Sequence, residues 1–242
     1  MRAILRFFFY LLYHPFAFTY DLVAATVSLG RWKDWVLSVV PFIQGNRILE
    51  IGHGPGHLQW ALLSRNLFTV GIDESAPMAR LAKRNLARFF ESQRNQPGTT
   101  PRAAYTQASL TRGVAQQLPF PENSFDTVVA TFPAEYIFQG EALDEAYRVL
   151  ISGGRFVILP GATILGRGIL DRFMSLVFHI TGQSAPNLPQ ILKDRTKKPF
   201  GEAGFHVQIH ELELKSSLVF IIVATKGSIP QPSLEARTPP GA

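Results

Sequence analysis

Cysteine is absent from the 242 residues. That rules out disulfides, zinc–thiolate sites, iron–sulfur clusters and a cysteine nucleophile. Long apolar runs are scarce as well. The first, Phe7 to Tyr13, is interrupted by His14-Pro15, whereas a bilayer span needs about 20 apolar residues. It leads into bulky aromatics and not into a small-residue cleavage site, so a secretory signal fits poorly. Residues 1–45 are therefore expected to form a helical cap. The cap either packs on the domain or lies in a membrane interface, where Trp32, Lys33 and Trp35 are well placed. Concentrated charge is missing too: 24 basic and 18 acidic residues give a net charge of +6. The one dense cluster, Lys193 to Lys198, reads as a solvated loop or as a contact for phosphate or anionic lipid. With no basic stripe interleaved with aromatics, a nucleic-acid partner is not expected. No metal site is expected either.

What is present is an apolar content of 46%, enough for one domain with elaborations. From Arg47 the chain alternates strand-like and helix-like segments. "RILEIG" is a strand, "GHLQWALLSRN" an amphipathic helix and "FTVGID" a second strand ending at Asp73. "SAPMARLAKRNLARFFESQ" is a helix with Ser75 as its N-cap and Pro77 in its first turn. Gln93 to Arg102 reads as a surface loop, and a third strand lies within "AYTQASLTRG". "FDTVVATF" is a buried strand, "EALDEAYRVLI" a helix, and Gly153-Gly154 turn into the strand "RFVILPG". The stretch from Ala162 is very apolar with helical character. "HVQIHELEL" and "LVFIIVATK" form a closing hairpin. The expected organisation is a cap over 1–45 and a core domain over 46–226 that carries a helical insertion at 162–200. A disordered tail is expected at 227–242. The rhythm is that of an α/β protein with an open, mostly parallel sheet.

The chemistry concentrates in "RILEIGHGPGHLQWALL". Gly52, Gly54 and Gly56 alternate directly behind the first strand. A dinucleotide turn needs its third glycine where His57 stands, and a nucleoside-triphosphate loop needs a Gly-Lys-Ser or Gly-Lys-Thr ending that is missing. Glu50, two residues before Gly52, would repel a pyrophosphate but suits a ligand with an ammonium group. Asp73 falls where a carboxylate accepts hydrogen bonds from ribose hydroxyls, with Glu74 beside it as a further candidate. An amino-acid end plus a ribose, without phosphate, describes S-adenosylmethionine.

Four blocks between Arg47 and Gly161 then carry a resemblance: "ILEIGHGPG", "VGIDESAPMARLAKRN", "GVAQQLPFPENSFDTVVATF" and "EALDEAYRVLISGGRFVIL". In that order they resemble the class I S-adenosylmethionine-dependent methyltransferases of the type 11 group, which includes quinone-biosynthesis C-methyltransferases. The resemblance implies a Rossmann-like seven-stranded sheet in order 3-2-1-4-5-7-6, its last strand antiparallel and helices on both faces. It also implies methyl transfer with S-adenosyl-L-methionine as cofactor, held by Glu50, Gly52, Gly54, Gly56, Asp73, Glu74 and Thr131.

Many relatives carry Gly-Asp-Ala at the adenine turn, where this chain has Gly113-Val114-Ala115. Adenine recognition then falls to the backbone of Ala115 and to packing on Val114, with Leu118 a further candidate. Thr131, Phe132 and Pro133 are expected to wall the methyl-transfer site, with Glu135 or Tyr136 touching the acceptor and His53 a candidate base. Tyr136 and Phe138 are equally compatible with ordinary packing, and His179 with a satisfied histidine of the apolar segment. Tyr20 is the candidate cofactor or substrate contact from outside the core blocks, while Asp21 reads as a helix cap and Arg31 as an exposed charge.

The acceptor pocket is expected between the cap, with Phe7, Phe8, Phe9, Phe16 and Phe18, and the insertion, with Ile169, Leu170, Phe173, Met174 and Phe178. That implies a small hydrophobic or lipid-like acceptor, unless the two elements simply pack on each other. The expected setting is cytoplasmic, with peripheral membrane contact open. Two competing readings are a nicotinamide-dependent oxidoreductase, disfavoured by the missing glycine and by Glu50, and a non-catalytic nucleoside-binding scaffold.

Overall fold

The computed structural model describes residues 28, 30–94, 108–164, 196, 198–214 and 217–227. Most of the expected cap with Tyr20 and Asp21, the insertion from 165 to 195 with His179, most of the basic cluster, and the tail from 228 lie outside them.

The first described helix, α1, is Trp32–Leu37, followed by a 3-10 turn at Val40–Phe42. Strand β1 (Arg47–Ile51) leads through the glycine turn into α2 (His57–Leu63), and β2 (Phe68–Asp73) into α3 (Ala76–Arg94). Next come β3 (Ala108–Arg112), β4 (Phe125–Thr131), a 3-10 turn at Glu135–Phe138 and α4 (Gly140–Val149). The chain closes with β5 (Leu150–Ile164), β6 (Phe205–Leu214) and β7 (Ser217–Lys226). The seven strands lie in the order β3-β2-β1-β4-β5-β7-β6. Strands β1 to β5 pair in parallel, and β7 runs antiparallel to both β5 and β6. This is the expected sheet.

The register follows from strands that are apolar on both faces. Leu49 and Ile51 of β1 point into a core shared with Leu143, Ala146 and Val149 of α4 and with Phe156 and Phe200. Ile48 points into the opposite core with Trp35 and Val36 of α1 and Leu58 and Leu62 of α2. Each such side chain contributes roughly 1.5–3 kcal/mol when fully buried. Helix α3 starts as expected, since Ser75 Oγ accepts from Met78 N at 3.3 Å and caps an otherwise orphan donor. The β1–β4 junction, where the strand order reverses, is pinned by Asp126. Its Oδ2 accepts from Asn46 N and Arg47 N at 2.8 and 2.9 Å, and its Oδ1 pairs with Arg47 Nη2 at 2.7 Å. In open α/β sheets that junction's carboxyl side is where ligands bind.

Four boundaries differ from expectation. Ala162–Ile164 continue β5 and pair with Leu218, Val219 and Ser217 of β7, so the expected insertion does not begin as a helix at 162. Gly153 and Gly154 lie inside β5, beside an irregular register against β4. Helix α3 runs one residue past the expected helix, to Arg94, into the stretch expected to be a loop. Helix α4 ends at Val149 because Leu150 already pairs with Phe125. Arg31, expected to be exposed, is half-buried at the N-cap of α1.

Candidate active site

The carboxyl ends of β1, β2 and β3 form a polar floor. Gly52 N donates to Ile72 O at 2.7 Å, which ties the turn to β2. Gly52 has φ +73°, and a Cβ there would stand 3.2 Å from the Tyr136 hydroxyl. A side chain at this position is therefore opposed by both backbone conformation and space. Gly56, at φ +84°, faces Ala82 Cβ of α3 at 3.2 Å in the same sense, which lets α2 and α3 approach.

Asp73 organises the floor. Its Oδ2 accepts from Gly54 N at 2.9 Å and its Oδ1 from Ser75 N at 2.8 Å. A carboxylate oxygen has two lone pairs, so each keeps one acceptor position for a ligand hydroxyl. Glu74 is exposed, with its carbonyl bound to Arg112 Nε at 2.9 Å. Glu50 lies at the end of β1 and is buried, with Gln59 Nε2 donating to its Oε2 at 2.7 Å. Burial pushes its pKa up to about 8, with the negative charge of Asp73 adding to the rise and the Gln59 bond opposing it. The apolar strand end thus holds a carboxyl that resists ionising.

His53 is 3% exposed, and its Nδ1 lies 2.8 Å from Gly54 O. A carbonyl only accepts, so Nδ1 carries the proton and Nε2 is an acceptor. That Nε2 is buried and has no hydrogen-bond partner among the described residues. Burial lowers the His53 pKa, against the opposing pull of Asp73 and the Gly54 bond. The ring fits because residue 71 is glycine: a Cβ there would meet His53 Cδ2 at 2.9 Å.

Past Asp73, Gly113 N donates to Asp73 O at 3.3 Å and Gln117 N to Val114 O at 3.3 Å. Ala115 and Leu118 are buried in the core, while Val114 is 38% exposed. This turn is clamped from α4 by two residues that sequence reasoning missed. Glu145 Oε2 accepts from Leu118 N at 2.6 Å, and Arg148 donates to the carbonyls of Phe120 and Leu118 at 2.7 and 2.9 Å. Their mutual ion pair at 2.6 Å holds the clamp in one geometry.

The exit from β4 is aromatic. Thr131 closes the strand, and Phe132 follows with φ +49°. Its amide donates to Leu159 O at 2.7 Å. A bulky residue in the left-handed region is a strained outlier that neighbours must hold. Here the holder is α1, with Trp32 stacked on Phe132 at 4.1 Å and 25° and Trp35 at 6.2 Å. After Pro133, Glu135 is exposed and Tyr136 half-buried with its hydroxyl over Gly52. The fold thus brings Gly52, Gly54, Gly56, Asp73, Val114, Thr131 and Tyr136 to one edge, with Glu50 and His53 buried behind the turn. No group of His, Asp or Glu among the described residues is arranged to hold a metal ion, and no described helix is long and apolar enough to cross a membrane.

A methyltransferase-domain family model of the type 11 group matches residues 49–158. A ubiquinone/menaquinone biosynthesis C-methyltransferase from Yersinia enterocolitica is 30% identical over 172 residues, which is 69% of this chain. The chain spans 64% of the length of that curated relative. Among solved structures, a Methanococcus maripaludis protein described as an S-adenosyl-L-methionine-dependent methyltransferase superimposes with a TM-score of 0.60 at 19% identity. The match covers 89% of this chain and 93% of that one. The geranyl diphosphate C-methyltransferase of Streptomyces coelicolor superimposes with a TM-score of 0.52 at 13% identity, over 75% of this chain and 73% of its own. Likenesses at such low identity speak to the fold. The family match and the Yersinia relative, with the glycine turn, Glu50 and Asp73 at the carboxyl edge, identify the stretch that carries the site: residues 49–158 are a type 11 methyltransferase domain of the class I S-adenosylmethionine-dependent kind.

Proposed function

We propose that the protein moves a methyl group from S-adenosylmethionine to a small, apolar, lipid-like acceptor by in-line displacement. The observation that carries the reading is Asp73. Its two oxygens fix the glycine turn and the start of α3, and each retains an acceptor position for a ligand hydroxyl at the carboxyl end of β2. A phosphate-bearing nucleotide has no cradle here, because Asp73 brings negative charge and the buried Glu50 carboxyl supplies no compensating cation. When bound, the cofactor supplies an electrophilic sulfonium methyl.

The chain's own work is to bind, orient and exclude water. Asp73 takes the ribose, with exposed Glu74 at its margin. Glu50 faces the amino-acid end across the turn of Gly52, Gly54 and Gly56. Val114 and the backbone of Ala115 receive the base, and Thr131 lines the sulfonium end. Trp32, Phe132 and Pro133 wall the acceptor side. Tyr136, over Gly52, is suited to orient the acceptor, and Glu135 reaches solvent at its mouth. His53, buried with Nδ1 on Gly54 O, suits bracing the turn better than taking a proton from an acceptor. Tyr20 and the apolar segments 1–27 and 165–195 complete the acceptor side in this reading.

Apolarity of the acceptor is supported by those segments and by the quinone chemistry in the name of the Yersinia relative. A cytoplasmic, membrane-peripheral setting belongs to the same reading, given the aromatic N-terminal stretch. The test uses methyl-labelled S-adenosylmethionine with ring acceptors that differ only in a prenyl tail. Label is expected on the prenylated ring. Transfer only to the tail-less ring would overturn the lipid-like acceptor, and transfer to neither would overturn the proposed reaction.

A further inference from the structure

The most deeply buried polar set near the glycine turn is Glu50, Gln59 and Thr69, each no more than 1% exposed. They come from β1, α2 and β2. Thr69 Oγ1 donates to Gln59 Oε1 at 2.9 Å, and Gln59 Nε2 donates to Glu50 Oε2 at 2.7 Å. The chain of bonds crosses otherwise apolar packing, since Ile48, Leu58 and Leu62 fill the same layer. A buried amide and hydroxyl are costly unless paired, and here they pair with each other and with the carboxyl. Two leucines in their place would pack this layer with no such cost. The polar pair is therefore retained for what it does to Glu50.

Resting on the cofactor reading above, we propose that Gln59, fixed by Thr69, is a positioning residue. It presents its N–H to Glu50 so that the carboxyl can ionise against the ligand's ammonium group, and cofactor binding then releases one proton to solvent. The proton balance is closed: neutral Glu50 gives up its proton, and its carboxylate pairs with the incoming –NH3+ group.

The surroundings leave Glu50 little other support. From β2, Asp73 is a like charge that opposes ionisation. In the turn, His53 is held below its ordinary pKa by burial. α2 offers the neutral Gln59, β4 the apolar Val129 at the paired position, and α1 the apolar Trp35 and Val36. With a pKa raised to about 8, Glu50 is mostly protonated in the ligand-free protein at pH 7. Affinity should therefore climb as pH rises from 6 to 7.5, by up to about tenfold per unit. The rise levels off as pH approaches 8, where Glu50 ionises in the ligand-free protein as well.

The experiment is calorimetric binding of S-adenosylhomocysteine to the full chain, at pH 6 to 7.5, in pairs of buffers with different ionisation enthalpies. The wild type is expected to release close to one proton near pH 7, and Glu50→Gln none. Gln59→Leu loses a bond to a charged group, so its affinity at pH 7 should fall about tenfold and its pH profile move up by about one unit. Thr69→Val should move the profile in the same direction by less, and it serves as the readout should Gln59→Leu fail to fold. Wild-type binding without proton release overturns the inference and leaves the cofactor reading standing. So does a folded variant that keeps the wild-type pH profile. Absence of any wild-type binding across the range overturns both.

Discussion

The carboxyl edge of β1, β2 and β3 and the exit from β4 face the same site but are built from different materials. The first is made of backbone amides, glycines and two acids: Gly54 N on Asp73, Gly52 N on Ile72 O, Glu50 behind the turn. The second is made of rings, with Phe132 held at φ +49° by Trp32 and Trp35. Hydrogen-bonded recognition of a nucleoside needs given groups at given spacings along one strand–turn–helix unit. An apolar wall needs only bulk, which distant residues can supply. Trp32 and Phe132 are a hundred positions apart in sequence.

Each region can be disabled separately. The largest effect is expected from Asp73→Ala, which frees the glycine turn and removes the proposed ribose acceptor. Cofactor affinity measured by calorimetry should fall at least about hundredfold, since bonds to a charged group contribute roughly 1.5–3 kcal/mol each. A loss under fivefold would mean that Asp73 does not hold the ligand. On the other side, Trp32→Ala removes a ring stack contributing about 0.5–1.5 kcal/mol. It should lower kcat about tenfold by letting Phe132 relax, while the cofactor Kd stays within about twofold. Equal changes in both quantities would erase the distinction between the two regions.

How much of this was legible in sequence follows the same division. The glycine turn, the N-cap at Ser75 and the edge position of Asp73 come from local patterns, while the strand order and the place of Thr131 come from the family resemblance those patterns carry. The continuation of β5 through Ile164 does not, because Ala162-Thr163-Ile164 become strand only by pairing with Ser217, Leu218 and Val219 of β7. The same holds for the clamp of Glu145 and Arg148 on the 118–120 carbonyls and amide, contacts about 30 residues apart. Gly71 reads as an ordinary strand glycine, and only the fold shows that its missing Cβ houses the His53 ring. The left-handed turn at Phe132 has no residue signal at all, since a phenylalanine is a poor choice for it.

A third effect, smaller, isolates Glu50. Its folded pKa of about 8 lies above the model-compound value of 4.5. The folded state therefore holds the proton more tightly, and that contribution is full below pH 4.5 and lost as pH rises through 8. Between pH 7 and 8 His53 is neutral in the folded chain, where burial moves its pKa down from 6.5, and mostly neutral in the unfolded one. Urea midpoints should decline across that window in the wild type and stay level in Glu50→Gln. Parallel declines would assign the titration to another group. The smallest effect is expected at the base: Val114 is exposed beside Asp73 and offers no side-chain acceptor. Val114→Asp should tighten S-adenosylhomocysteine binding by a few fold, in line with one added hydrogen bond. An unchanged Kd would mean that the base does not reach this turn.

The polar edge of β1 to β3 is proposed to select an adenosyl ligand without phosphate. A thermal-shift measurement on the wild type with S-adenosylmethionine, S-adenosylhomocysteine and NAD in parallel tests it most directly, because a ligand of the native state raises apparent stability. Both adenosyl compounds should raise the Tm and NAD should leave it unchanged. A shift with NAD, or none with either adenosyl compound, would contradict the account.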